Sequence, residues 1–356
     1  MSFDQSKAEQ FADRLVGALN DGALCLMTSI GHRTGLFDSL AAAGPCSGQE
    51  LADKAGLNER YVREWLGAMV TSRVVVCDPE SGRYSLPEEH AAFVTRDASE
   101  GNMALFAQYI PLLGSVEDDI VECFHNGGGV PYERYPRFHT VMAEESALTI
   151  VGALDEHILP LVPGLEEQLE AGIKVLDVGC GSGLALNHLA ARFPNSSFTG
   201  TDLSQEAIAN GQAEAGQRGL SNLQFEAVNL SDFDKAAQPE AFDFVTAFDA
   251  IHDQAKPRAV LKGIYNTLKA DGVFLMQDIR GASNHVGDME HPIGPLLYTI
   301  SCLHCMTVSL AQGGEGLGAM WGEVQTRELL GEAGFGSIET NVLDHDFQNN
   351  FYVIHK

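Results

Sequence analysis

The chain has 356 residues, 45% of them hydrophobic, which is enough to fill two ordinary domains and excludes disorder as the default state. Its formal net charge is −27. So acidic a surface repels phosphate backbones and gains nothing by releasing their counterions, which argues against nucleic acid as a partner and for a soluble protein acting on small molecules. Seven cysteines, odd in number and irregular in spacing, fit reduced thiols in the cytoplasm better than a disulfide framework. The polar start MSFDQSKAEQ reads as no secretory leader.

The first hundred residues read as helices closed by a small hairpin. Ser47 and Glu50 have the spacing of a reciprocal capping box, and a short helix follows and stops at Gly56. Asn58 then caps a second helix over 59–72. Two short strands, 74–77 and 83–86, flank the turn at 78–82. Helix, turn, helix and two strands is the layout of a winged helix. Many such modules bind DNA, yet residues 1–100 carry nine basic against fifteen acidic side chains, a net of −6. The candidate recognition helix mixes Arg60 and Arg63 with Glu59 and Glu64, so no basic stripe forms. The expected role is dimerisation or substrate covering.

Residues 101–165 read as a helical linker that roofs a pocket, broken by the glycine-rich run 125–130, with Tyr132, Tyr135, Phe138 and His139 as candidate lining. From residue 166 to 356 strands alternate with helices, the pattern of a parallel α/β sheet. Strands are predicted over 173–178, 197–202, 223–228, 242–248, 272–279, 337–343 and 350–356, with helices between them. The long insertion 281–322 is the predicted lid. Its apolar run, Pro295 to Ala311, is short for a membrane span and carries His304 and several hydroxyls, so a buried or lid helix is expected and no membrane partner.

The strongest local signal is Asp177-Val-Gly179-Cys180-Gly181-Ser182-Gly183 at the end of the first of these strands. Glycines there allow a sharp turn and let a ligand approach the backbone. A dinucleotide fingerprint needs its third glycine one residue later, where Leu184 stands. Asp177 adds negative charge that suits an ammonium group and not a diphosphate, which points to S-adenosylmethionine. Asp202 ends the second strand, where a carboxylate can take both ribose hydroxyls, and Leu203 offers adenine an apolar face. Asn229 and Leu230 end the third strand, the amide suited to the polar edge of adenine.

At these residues the chain resembles the class I methyltransferases that carry an N-terminal winged-helix dimerisation domain, notably bacterial and mycobacterial small-molecule enzymes. The runs GALCLM, HRTGLFD, LNERYVREWLGAMV, DVGCGSG, FDAIHDQ and AQGGEGLGAMWGE carry the likeness along nearly the whole chain. The resemblance implies a Rossmann-like seven-stranded sheet, methionine held by Asp177, Gly179, Cys180, Gly181 and Gly183, and a homodimer made through the N-terminal domain. It also implies that the loop after the fourth strand faces the transferred methyl. That loop carries Asp249, a candidate for both cofactor and chemistry, with His252 and Asp253. Ile-His252-Asp253 is similar to the His-Asp segment of plant-type O-methyltransferases, where the histidine is the base. Gln254 stands where that group usually has Trp.

The lid supplies Tyr298, Cys302, Met306 and Trp321 as candidate pocket wall, and Glu323 as a candidate partner orienting His252. Cys302-x-x-Cys305 with His304 lacks a second ligand pair at finger-like spacing, so no metal is expected. The reading is methyl transfer from S-adenosylmethionine, leaving S-adenosylhomocysteine, to oxygen or sulfur of a small acceptor. A nucleoside-responsive winged-helix regulator and a non-catalytic binding module are the alternatives.

Overall fold

The computed structural model describes residues 3–98 and 101–356. The chain divides into two compact units, Met1–Gly114 and Ser115–Lys356.

The first unit opens with the long helix α1 (Gln5–Thr34) and continues through α2 (Leu36–Ala43), α3 (Gly48–Ala55) and α4 (Glu59–Thr71). The capping box at α3 is formed: Glu50 N donates to Ser47 Oγ, and Ser47 N donates to the Glu50 carboxylate at 2.7 Å. Asn58 caps α4 through Arg60 N at 3.0 Å. Trp65 on α4 is buried and donates its indole N–H to Met27 O at 2.9 Å, which pins α4 to α1. The wing is the two-stranded ladder of β1 (Val76–Cys77) and β2 (Tyr84–Ser85). Helices α5 (Glu88–Val94), α6 (Met103–Phe106) and α7 (Tyr109–Gly114) complete the unit. On α4, Arg60 pairs with Glu64 and Arg63 with Glu59, each one helical turn away. Both arginines of the would-be recognition helix are thus matched by acids of the same helix.

The second unit starts with α8 (Glu117–Asn126), α9 (Phe138–Ser146) and α10 (Leu165–Ala171). Strands and helices then alternate: β3 (Lys174–Val178), α11 (Leu184–Arg192), β4 (Ser197–Asp202), α12 (Gln205–Arg218), β5 (Leu223–Ala227), α13 (Phe233–Ala236), β6 (Phe242–Phe248), α14 (Pro257–Thr267) and β7 (Leu268–Ile279). After the insertion, which contains α15 (Gly294–Ile300) and α16 (Met306–Ala311), come α17 (Gly322–Ala333), β8 (Ser337–Asn341) and β9 (Asn349–His355). The seven-stranded sheet runs β5-β4-β3-β6-β7-β9-β8, with β9 antiparallel to both its neighbours and the other pairings parallel. Alternate residues serve opposite faces. Val175, Phe244 and Leu275 join the core under α11 and α12, while Leu176, Val245 and Met276 join the core under α14 and α17. The order reverses between β3 and β4 on one side and β3 and β6 on the other, so the loops after β3 and β6 open a crevice at the carboxyl ends of the strands.

Two glycines of the β3–α11 turn differ in what surrounds them. Gly183, at φ +64°, has the ring of Phe225 where a Cβ would sit, at 2.2 Å; Gly181, at φ +52°, faces open space. We expect Gly181→Ala to lower stability by about 1–2 kcal/mol, the left-handed cost alone, and Gly183→Ala by about 2–4 kcal/mol because the ring must also move. Urea unfolding midpoints of the two variants compare the costs; equal losses would show that Phe225 gives way freely.

Candidate active site

Asp202 organises the crevice from the end of β4. Its Oδ2 accepts from Gly181 N at 2.9 Å and its Oδ1 from Ser204 N at 2.8 Å. Gly179 N and Cys180 N both donate to Thr201 O, and Gly183 N closes the turn onto Cys180 O. Asp177, buried at the end of β3, accepts from Thr246 Oγ1 at 2.7 Å. Burial pushes its carboxyl up to about 7, against the opposing pull of the Thr246 hydroxyl. Burial also raises Asp202, against the hydrogen bonds from Ser204 and Gly181. Two carboxylates whose charge is costly as they stand fit a cationic amine and sugar hydroxyls, and are the wrong lining for a diphosphate.

Further along the same edge, Leu203 and Asn229 are exposed, and Asn229 Oδ1 accepts from Ser231 N at 2.9 Å. Leu230 points inward and belongs to the core under α14. His139 bridges the two sides, its Nε2 2.8 Å from Ser204 Oγ and its ring against those of Tyr132 and Phe138.

The second cluster grows from β6 and β7, whose ends are tied by Asp249 N donating to Gln277 O at 3.0 Å. His252 is buried with Nδ1 2.7 Å from Asp278 Oδ1. The same oxygen accepts from Trp321 Nε1 and from Ile279 N, both at 2.8 Å. On the opposite edge of the ring, His252 Nε2 stands 3.4 Å from Asp253 Oδ1. Burial disfavours the imidazolium, but Asp278, Asp253 and Cys305 together outweigh it and hold the His252 pKa well above 6.5. Asp249 is raised well above 3.8 by burial and by its neighbour Asp278, and sits at φ +46°.

Aromatic rings wall this cluster. Tyr132 donates its hydroxyl to Asp253 Oδ2 at 3.4 Å. The His304 ring stacks on Phe138 at 4.0 Å between centroids, with Tyr132 and Tyr135 edge-on at 5.3 and 5.0 Å. Burial pushes His304 down to about 4, so it is neutral. Gly294–Ala311 is long and apolar enough to cross a membrane by length and composition. Here it packs against this unit: Tyr135 donates to Leu303 O at 2.5 Å and Val130 N to Thr307 Oγ1 at 2.8 Å.

The fold thus gathers Asp177, the glycine turn and Asp202 at one edge, and His252, Asp253 and Asp249 with Tyr132 and Tyr135 at the other. Glu323, expected to orient His252, does not: it accepts from Arg327 and Thr340, because α17 carries it to β8, and Asp278 takes the role instead. Trp321 acts through its N–H on Asp278 and is otherwise core. Tyr298 donates to Asp288 at 2.7 Å and lines a separate cavity of about 300 Å³ with Ser283, His285, Ser301 and Met320. Cys302 and Met306 are half-buried, and Met306 packs toward Gly316 and Gly318. Sequence reasoning assigns no role to Asp278. The usable signal for Asp278 was an acid at the carboxyl end of the strand beside β6.

Residues 22–96 match the Rv2258c-like winged HTH domain family, and residues 169–305 match a methyltransferase domain family. The chain is 28% identical over 109 residues to the ubiquinone biosynthesis O-methyltransferase of Neisseria meningitidis, which is 30% of this chain and 44% of that relative; the match spans less than half of the relative's length. Human N-acetylserotonin methyltransferase, solved in complex with SAM, is similar over 99% of both chains at 17% identity and a TM-score of 0.68. The mitomycin 7-O-methyltransferase MmcR is similar over 99% of this chain and 100% of its own at 16% identity and a TM-score of 0.67. Residues 22–96 thus carry a winged HTH domain and residues 169–305 a methyltransferase domain, and over the whole chain the fold is the one shared by these two-domain methyltransferase structures.

Proposed function

We propose that the protein methylates a hydroxyl oxygen of a small, largely apolar molecule, with His252 as the general base. The observation that carries this reading is the His252–Asp278 hydrogen bond of 2.7 Å. A thiol acceptor is nucleophilic as its own thiolate and needs little help, whereas a hydroxyl must lose a proton as it attacks. A buried, oriented histidine is the device a hydroxyl requires. The O-methyltransferase names of the similar proteins support the same choice.

S-adenosylmethionine, bound in the crevice, supplies the electrophilic methyl. Asp177 would pair with its amine, Asp202 would accept from its ribose hydroxyls, and Asn229 with Leu203 would meet its adenine. The Asp278 carboxylate fixes Nδ1 of His252 as the protonated nitrogen and leaves Nε2 to take the acceptor's proton. Asp278 then stabilises the imidazolium so formed. The rings of Tyr132, Phe138 and His304 hold an apolar acceptor and exclude water.

A homodimer through the first unit is part of this reading. Phe11, Leu15, Leu19, Leu26 and Ile30 lie exposed along α1 at near-helical spacing, a stripe that a second copy would cover. The paired arginines of α4 favour this use of the winged helix over a DNA-binding one. Seven free cysteines support a reducing, cytoplasmic setting.

Labelled S-adenosylmethionine incubated with phenol, alcohol, carboxylate and thiol panels tests the activity. We expect label in a hydroxyl acceptor, a fall of roughly 10²–10⁴ in turnover for His252→Gln with cofactor affinity kept, and a loss of about 1–3 kcal/mol in cofactor binding for Asp202→Ala. Label found only in thiols would move the reading to sulfur, and no product from any class would leave a binding module.

Turnover should rise with pH through the raised pKa of His252, because only the neutral ring accepts a proton. Asp278→Asn removes the main carboxylate that favours the imidazolium, so the midpoint of the pH–rate profile should fall. Linkage gives the opposite trend in stability: the contribution of a raised histidine is complete below its ordinary 6.5 and is lost as pH rises through the folded value. A midpoint that stays put in Asp278→Asn would remove Asp278 from this role.

Leu15→Glu combined with Leu19→Glu should give a monomer by sedimentation with the cofactor still bound. A dimer that persists would place the interface elsewhere.

A further inference from the structure

We propose that His252, Asp253 and Cys305 form a binding site for a thiophilic divalent cation of the Zn²⁺ class, which occupies Nε2 of His252 in place of a proton. One ligand atom from each of the three residues lies within 4.8 Å of the other two. Cys305 is buried on the segment joining α15 to α16, at its last residue before α16. Imidazole, carboxylate and thiolate are the donor set that selects Zn²⁺ over Mg²⁺ or Ca²⁺. Zinc bonds of about 2.0–2.3 Å at tetrahedral angles put neighbouring ligand atoms about 3.3–3.7 Å apart, so the His252–Asp253 pair at 3.4 Å already has the spacing and Cys305 has at most about an ångström to close.

A second observation points the same way. Asp253 Oδ1 is buried and makes no hydrogen bond, though it stands 3.4 Å from His252 Nε2. Asp278 Oδ2, Asp249 Oδ1 and His304 Nε2 are also buried without hydrogen-bond partners. Buried polar atoms without partners are costly, and three of them on carboxylates, beside His252 and a neutral His304, mark a place short of positive charge. The surroundings that orient metal ligands are already formed: Asp278 fixes the far nitrogen of His252, and Tyr132 holds the other oxygen of Asp253. Three protein ligands leave a fourth position open. A cation there ties up the lone pair that the proposed base needs, so metal and turnover exclude one another. Burial holds the Cys305 thiol up at about 12, and metal binding releases its proton.

The test uses the full chain, stripped with chelator and then titrated with Zn²⁺ against a chromophoric chelator, with Co²⁺ as a spectroscopic stand-in. We expect one tight equivalent of Zn²⁺ and a thiolate-to-cobalt charge-transfer band. Cys305→Ser should weaken Zn²⁺ at least tenfold and abolish the band, while Cys302→Ser keeps both. Zn²⁺ bound equally by the parent and Cys305→Ser, or a cobalt spectrum without the thiolate band, would overturn the site. Because binding is read without turnover, the site stands or falls independently of the methyl acceptor. His252→Gln, which keeps the volume and removes the imidazole, should lose the metal as well; retention of tight Zn²⁺ by that variant would equally overturn it.

Discussion

One carboxylate oxygen, Oδ1 of Asp278, holds the chemical centre together. It accepts from the imidazole of His252, the indole of Trp321 and the backbone of Ile279. These donors come from the loop after β6, from the segment that ends the insertion, and from β7 itself. A buried carboxylate is tolerated only where donors of this strength meet it, and removing it would leave a buried imidazolium with its main partner gone. The parallel pairing of β6 with β7, Phe248 opposite Gln277, sets the loop after β6 beside the end of β7, where His252 meets Asp278.

Around this centre the second unit concentrates negative charge that its own interior does not balance. Asp177, Asp202, Asp249, Asp253 and Asp278 lie at the carboxyl ends of β3, β4, β6 and β7 or on the loop after β6. Burial raises Asp177, Asp202 and Asp249 above the usual carboxylate range. A sequence selected for stability alone would have placed few of them there. Asp249, a non-glycine residue in the left-handed region with an unpartnered oxygen, is the sharpest instance. Such an arrangement is stabilised by positively charged ligands and weakened without them.

Much of this was legible in the sequence because the signals were local. Ser47 and Glu50, or Asn58 before α4, announce helix starts within four residues, and apolar runs bounded by glycine announce buried strands. The turn at Gly179–Gly183 is read from its own spacing. What depended on distant chain segments was not legible. Asp278 lies 26 residues from His252, inside a run that reads as plain strand. Cys302 and Cys305 read as a pair by spacing, yet on the π-helix Ser301–Cys305 it is Cys305 that lies with His252 and Asp253. Glu323 is near in the order of loops, yet α17 directs its side chain to Arg327 and Thr340. The helices over 103–114, read as part of the linker, fall in the first unit.

The chain has only two tryptophans, and the fold gives one to each unit. Trp65 donates to a main-chain carbonyl in the first unit, and Trp321 to the carboxylate that meets His252. Indole emission responds to charge near the ring nitrogen. Replacing Trp65 by Phe would therefore leave a chain whose tryptophan emission reports on the histidine–carboxylate pair alone, an optical window onto the crevice that needs no attached dye.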